Sequence, residues 1–263
     1  MNTDGLPIPA AEAAPAAAPL DALRRTRWLG AVPRATLEHL GKQAVLHRVP
    51  AGSMLFDQAE TPAFATFLIG GSVELLAVRG EDEILIELVE PVDLLLPAAV
   101  LSRQPYLLRA RVLEEARLML VAADTFRHAV AADHALCLAV LACQAAQFRR
   151  QVKQVKNVRL RSAEERVGCY LLRLTTTANA GEPVRLPLEK RLIASQLGMT
   201  RETFSRSLGV VAVHGLRVEG EWVLADDIDA ARARFPTDPL IDGAEAVTPL
   251  PLQASRENPR RRP

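Results

Sequence analysis

The sequence predicts an α+β chain in three consecutive parts: a strand-rich N-terminal half, one long helix, and a C-terminal group of helices closed by a β-hairpin. Three observations carry this. Short β-like segments recur between residues 43 and 121, and the apolar period then changes to an alternation of three and four between residues 138 and 155. A corner of small residues between two short amphipathic stretches follows at residues 190–208. With 263 residues, 49% hydrophobic and 24% charged, the chain is of ordinary globular composition and long enough for one large domain or two small ones.

Residues 1–20 and the tail 236–263 are poor in aromatic and large apolar side chains and are expected to be disordered. Residues 21–130 are read as the β domain. Its segments are AVLHRV, TFLIG, SVELLAV, ILIELV, LLRARVL and ARLMLV, separated by Gly, Pro and charged breaks, a spacing that suits an antiparallel sandwich or barrel. The helix expected over 131–158 places Leu138, Leu141, Ala145, Phe148, Val152 and Val155 on one seam. A stripe that narrow suits a facing helix of a second copy better than packing on the chain's own β domain. Ser162 and Glu165 form an S-x-x-E capping box, so a new helix through Val167, Tyr170, Leu171 and Leu174 begins there, within a C-terminal domain over 159–235.

The net charge of +1 hides segregation. Residues 144–162 hold Arg149, Arg150, Lys153, Lys156, Arg159 and Arg161 with no acid, whereas residues 79–93 hold Glu81, Asp82, Glu83, Glu87, Glu90 and Asp93 against one base. Two solvated faces, or a basic half that approaches phosphate, are both compatible with this. No run of apolar residues reaches a membrane span and no signal-peptide pattern opens the chain, so a cytoplasmic protein with no membrane partner is expected. Cys137, Cys143 and Cys169 form no C-x-x-C pair and suggest neither a disulfide framework nor a zinc site, and no metal site is expected. No P-loop, G-x-S-x-G or H-E-x-x-H spacing is present, so no enzyme is expected.

The most specific segment is KRLIASQLGMTRETFSRSL. Ile193, Leu197 and Met199 are apolar, Ala194 is small enough for two helices to cross closely, and Gly198 permits a left-handed turn. Thr200 can cap the second helix. With Phe204, Leu208 and Val211 turned inward, Arg201, Glu202, Ser205 and Arg206 fall on the outer side, where Arg can bind guanine and Glu can accept from cytosine. A surface hairpin with a salt-bridged face is the competing reading. The stretch 216–224, apolar on both sides of Glu219, Gly220 and Glu221, reads as a wing behind that helix.

This order of parts resembles the Crp/Fnr family of regulators over roughly residues 21–235. Glu202, Thr203 and Arg206 match the family's E-T-x-x-R recognition signature and Ser205 the serine that its Fnr-like branch has before the final Arg, and AGSMLF followed by FLIGGSVELL resembles the family's strands ending in Gly turns, with Gly52 and Gly71 in place. Ser207 and Gly209 depart from the pattern near the helix end. The resemblance implies an N-terminal cyclic-nucleotide-binding-like β-roll, a dimerisation helix and a winged helix-turn-helix. It implies a homodimer that regulates transcription by binding double-stranded DNA at an Fnr-like palindrome through Arg201, Glu202, Thr203, Ser205 and Arg206, with RNA polymerase as a partner. The alternative is an interaction module of the same fold that has lost DNA binding.

The nearest likeness, in LIASQLGMTRETFSR, is to the branch that governs nitrogen-oxide respiration. Members of the family that bind cyclic AMP carry Gly-Glu-Leu and then Arg-Ser, but here Leu94 to Pro97 and Tyr106-Leu107 stand in those places, so no cyclic AMP is expected. Arg109 could substitute only with a slipped register. No cysteine precedes Cys137, so no iron-sulfur cluster is expected. The branch resemblance implies a haem responsive to nitric oxide, with His134 the first candidate ligand and His47 the second, and His39, His128 and Cys137 further options.

Overall fold

A computed structural model describes residues 23–24, 28–176 and 182–244. Helix α1 (Arg34–Lys42) leads into the strands β1 (Ala44–Val49), β2 (Met54–Phe56), β3 (Phe64–Arg79), β4 (Asp82–Val89) and β5 (Asp93–Leu94). Helix α2 (Pro97–Ser102), strand β6 (Arg109–Ala122) and helix α3 (Ala123–Ala132) complete the β domain. The sheet runs β1-β6-β3-β4, with β2 also on β6 and β5 also on β3, every pairing antiparallel.

Two pairs of segments expected as separate strands are in fact single long strands. TFLIG and SVELLAV are both β3, and LLRARVL and ARLMLV lie largely in β6. Gly71 explains the first merger. It has φ +76° inside the strand, and a Cβ there would lie 2.2 Å from the Glu115 carbonyl oxygen of β6, so the glycine marks a close approach of two backbones in a bulged ladder, not a turn. Gly52, at φ +84°, does sit in a turn.

Phe56, Leu68, Val73, Leu75, Tyr106, Val112 and Leu118 fill the inside of the roll. A second cluster, with Trp28, Phe67 and Phe126 at its centre, packs α1, α3 and the start of the next helix against the same sheet. That helix, α4, spans His134–Leu160, whereas 131–158 was expected. Residues 131–132 belong to α3, because Asp133 leaves helical geometry at φ −120° and ψ 110° and its side chain caps the Leu136 amide.

Beyond α4 come α5 (Ala163–Thr176), β7 (Val184–Arg185), α6 (Lys190–Gln196), α7 (Arg201–Val213), β8 (Leu216–Glu219), β9 (Trp222–Ala225) and α8 (Ile228–Arg234). The capping box forms as expected: the Glu165 amide donates to Ser162 Oγ at 3.2 Å and the Ser162 amide to the Glu165 carboxylate at 2.8 Å. Val167, Leu171, Ile193, Phe204, Val211, Val223 and Phe235 make a separate core. The expected tail 236–263 needs correction at its start. Residues 236–244 are ordered, with a short helix α9 (Pro239–Asp242) capped by Asp238 and tied to the end of α4 by Asp242, which accepts two bonds from Arg161 at 2.7 and 2.6 Å. Composition cannot reveal a segment held by ion pairs with a distant helix. Residues 1–20 lie outside the described residues, as do residues 245–263.

Candidate nucleic-acid interface

Helices α6 and α7 meet at a corner where Gly198 has φ +65° and Ala194 is fully buried, as close crossing requires. Thr200 caps α7 by accepting from the Thr203 amide at 3.2 Å. Phe204, Ser207 and Val211 are buried on the inner face of α7, so Ser207 takes the place expected of Leu208, which is only partly buried. The stripe is 204, 207 and 211, and a small side chain in its middle fits the close contact of α7 with α5. Gly209 lies in open space on the outside and does not end the helix, which continues to Val213.

Arg201, Glu202, Ser205 and Arg206 are exposed together on the outer face. Thr203 is half-buried and its hydroxyl lies 3.1 Å from Thr200 Oγ1 and 3.5 Å from Arg206 Nη2, between the cap and the outermost arginine. The main-chain amide of Glu202 and the Thr200 hydroxyl hold the Glu202 carboxyl below its ordinary pKa, so it is an anionic acceptor at neutral pH. The outer face thus presents two guanidinium forks, a carboxylate and a hydroxyl on one helix, a set able to read base edges in a major groove.

Three further cations went unread in the sequence. A cleft of about 990 Å³ is bordered by Arg185, Lys190 and Arg191 together with Arg201 and the wing residues Gly220 and Glu221. Lys190 and Arg191 open α6 within the very segment that defines the corner, but a pattern focused on the second helix passes over them. Arg185 was hidden because β7 was not foreseen: it adds a third strand to the wing, with Arg185 opposite Trp222 on β9 and paired to Glu221 at 2.7 Å.

Along α4, Leu141 and Phe148 are 53% and 66% exposed, Val152 and Val155 are exposed, and Leu138 and Ala145 are half-buried. Leu136, Ala139, Val140, Ala142, Cys143 and Ala146 are buried on the chain's own β domain. At 100° per residue the two sets lie on opposite sides of the helix, so the seam faces away from the β domain, with Leu141, Phe148, Val152 and Val155 exposed and Leu138 and Ala145 partly covered.

The charge runs of the sequence meet one another. Arg150 of α4 donates to Glu87 at 2.7 Å and to Asp93 at 2.8 Å, and Gln151 donates to Glu87 at 2.7 Å. Part of each run therefore forms the joint between β domain and long helix, which neither of the two sequence readings foresaw.

In the β-roll, Leu94 and Leu95 are buried, and the Tyr106 ring stacks on Phe56 with centroids 3.8 Å apart, where burial raises its pKa to about 12. Arg109 is committed to Asp57 at 2.5 and 3.0 Å and to Glu83 at 2.7 Å. The residues named as candidate haem ligands are spread over β1, α1, α3 and the first turn of α4. His134 is exposed at the first turn of α4, and His47 is half-exposed on β1 opposite Leu118, so the two are on separate elements. His39 and His128 border a groove between α1 and α3, yet His39 bonds to Gln43 at 2.9 Å and His128 lies 2.7 Å from the Asp124 carbonyl; Cys137 is exposed.

Among the described residues no single helix is long and apolar enough to cross a membrane. Family models match two stretches: a cyclic nucleotide-binding domain over residues 46–133 and a Crp-like helix-turn-helix domain over residues 165–229. The nitrogen fixation regulation protein FixK of Azorhizobium caulinodans is 27% identical over 191 residues, covering 70% of this chain and 74% of its own. The fold is shared with FixK2 of Bradyrhizobium japonicum, at TM-score 0.60 and 20% identity over 74% of this chain and 98% of that one. A cyclic nucleotide-binding protein of Ruegeria pomeroyi is likewise similar, at TM-score 0.54 and 24% identity over 86% of this chain and 100% of that one.

Proposed function

The chain belongs to the Crp/Fnr family of DNA-binding transcription regulators, and from that premise we propose that it acts as a homodimer on a palindromic operator, under a signal other than a cyclic nucleotide. The observation that carries the reading is the outer face of α7, where Arg201, Glu202, Ser205 and Arg206 stand exposed while Phe204, Ser207 and Val211 anchor the helix from behind. Arg206 and Glu202 read bases, Ser205 a neighbouring base, and Arg201 a phosphate or the outermost base, with Thr203 holding Arg206 in place. Arg185, Lys190 and Arg191 hold the flanking backbone.

The seam of α4 supports a second copy as its cover, since leaving Leu141, Phe148, Val152 and Val155 exposed to water is unfavourable by roughly 25 cal/mol per Å² of apolar surface. Two recognition helices related by that axis would read half-sites about one helical turn, roughly 34 Å, apart. The matching signature favours an Fnr-like site, TTGAT-N4-ATCAA, and RNA polymerase as the downstream partner. The filling of the roll by Tyr106 and Phe56, and the commitment of Arg109 to two carboxylates, support a signal other than a cyclic phosphate.

Fluorescence anisotropy of a labelled duplex tests this. Saturable binding to TTGAT-N4-ATCAA, well above that to a scrambled duplex and weakening as salt rises, is expected. Equal affinity for both duplexes would reject the reading and favour an interaction module without sequence readout.

A further inference from the structure

Glycine is a poor helix former, so one that stands inside a helix calls for a reason. Gly168, within α5, has one: a Cβ there would lie 2.3 Å from the Phe235 ring. Gly52, Gly198 and Gly220 have another, a left-handed φ of +84°, +65° and +57°. Gly209 has neither. It stands in the helical backbone of α7, four residues before the end at Val213, and a Cβ there would meet no atom of the described residues within 4 Å.

Its place on the helix supplies what the chain's own packing does not. At 100° per residue Gly209 lies about 170° from the mean direction of the buried Phe204, Ser207 and Val211, and about 20° from Glu202. On the helical wheel it falls between Ser205 and Arg206, roughly one turn further along the axis. Val213, 83% exposed, follows one turn later and about 40° away. Glu202, Gly209 and Val213 therefore mark the crest of the outer face, with Ser205 and Arg206 on its two flanks, and at its middle the crest carries no side chain. An α-helix with its side chains is about 10–12 Å across, whereas the major groove is about 12 Å wide and 8.5 Å deep, so a helix seated there has little clearance. A side chain at the middle of the crest would hold the axis off the groove floor.

We propose that Gly209 is a positioning residue for DNA: it presents bare backbone at the crest of α7, so that the helix sinks into the major groove until Glu202, Ser205 and Arg206 reach base edges. The proposal rests on the DNA reading above and adds to it a residue that acts without a side chain. The helix is weaker for the glycine and its seat in the groove is closer. Stability and specific binding must then respond in opposite directions when a side chain is restored at position 209. Contacts to phosphate survive a looser seat, because Arg201, Lys190 and Arg191 reach the backbone from the sides of the corner.

Fluorescence anisotropy of the full chain and of Gly209→Ala and Gly209→Leu, on TTGAT-N4-ATCAA and on a scrambled duplex at one salt concentration, tests this beside urea unfolding of the free proteins. Gly209→Ala should weaken binding to the palindrome about tenfold, within the range by which a well-placed bidentate base contact discriminates. Gly209→Leu should erase the preference for the palindrome, while both variants hold the scrambled duplex as the parent does. Both should unfold at higher urea than the parent, since each replaces glycine by a better helix former. A parent chain that does not distinguish the two duplexes would reject the DNA reading, and the proposal with it. If the parent does distinguish them and the variants bind the palindrome equally well, the DNA reading stands and the role of Gly209 is overturned. It is overturned too if the variants lose affinity for both duplexes alike, or if their urea midpoints fall, because the glycine would then serve the fold and not the seat in the groove.

Discussion

On α7 a step of 100° separates Ser207, turned into the core, from Arg206, turned out to solvent, and that step decides which side chains can meet DNA. Replacing Arg206 by Ala removes a bidentate donor from the outer face and disturbs no buried contact. It should cost about 1–3 kcal/mol per half-site and relax base preference at one position, measurable by titrating duplexes substituted base by base. Gly71 makes the opposite case, a residue whose role is wholly internal. Gly71→Ala would place a Cβ on the Glu115 carbonyl at a positive φ, so it should lower stability by more than the roughly 1–3 kcal/mol of backbone strain alone, read as a fall in the urea midpoint. At this scale the sequence is legible where chemistry is local. Thr200 as a cap and Gly198 as a left-handed corner follow from residue type, whereas Ser207 facing inward does not, because polarity argues for the surface and only the packing of α7 on α5 overrules it.

Helix α4 shows how an element serves two masters. One side is buried on the β domain and the other carries the seam, with Phe148 its largest and most exposed member. In the proposed dimer Phe148→Glu would set two like charges facing across an apolar interface, so light scattering should find monomers of 28.6 kDa for the variant and dimers for the parent chain. Helix α9 straps the end of α4 through Asp242 and Arg161. Burial pushes the Asp242 carboxyl up, but Arg161 and the Asp238 amide pull it further down, so its pKa lies below the ordinary value. The strap therefore contributes fully above the unfolded pKa of about 3.9 and is lost as pH falls through the lower folded value. Asp242→Asn should destabilise the chain by a constant amount from neutral pH down to about pH 4, roughly 2 kcal/mol, with the difference from the parent shrinking below that in urea titrations. The heptads of α4 and the capping box of α5 could be read because both are short-range patterns. The continuity of β3 through its bulge, the third wing strand β7 and the strap α9 could not, since each is decided by a partner far away in sequence.

At the scale of the molecule, the β domain, the long helix and the C-terminal unit are joined by contacts that no local pattern announces. The acidic run of the β domain meets the basic run of α4 through Arg150, and α6 rests on the sheet through Leu192 against Leu76 and Leu85. There the Leu85 amide donates to Ser195 Oγ at 2.8 Å. Ser195→Ala should speed hydrogen exchange at the Leu85 amide while the amides between β3 and β6 keep their protection; an unchanged rate at Leu85 would mean that the joint is not held there in solution. The order of parts was visible in the sequence, but their joints were not, because complementary charge runs separated by some sixty residues look the same whether they pair or face water. The central claim is that two chains, joined along α4, present two α7 helices to one palindrome. Analytical ultracentrifugation of the chain with a duplex carrying TTGAT-N4-ATCAA tests it most directly. Two chains per duplex are expected with the parent protein and no stable complex with Phe148→Glu, whereas one chain per duplex, or a complex that Phe148→Glu leaves intact, would contradict the account.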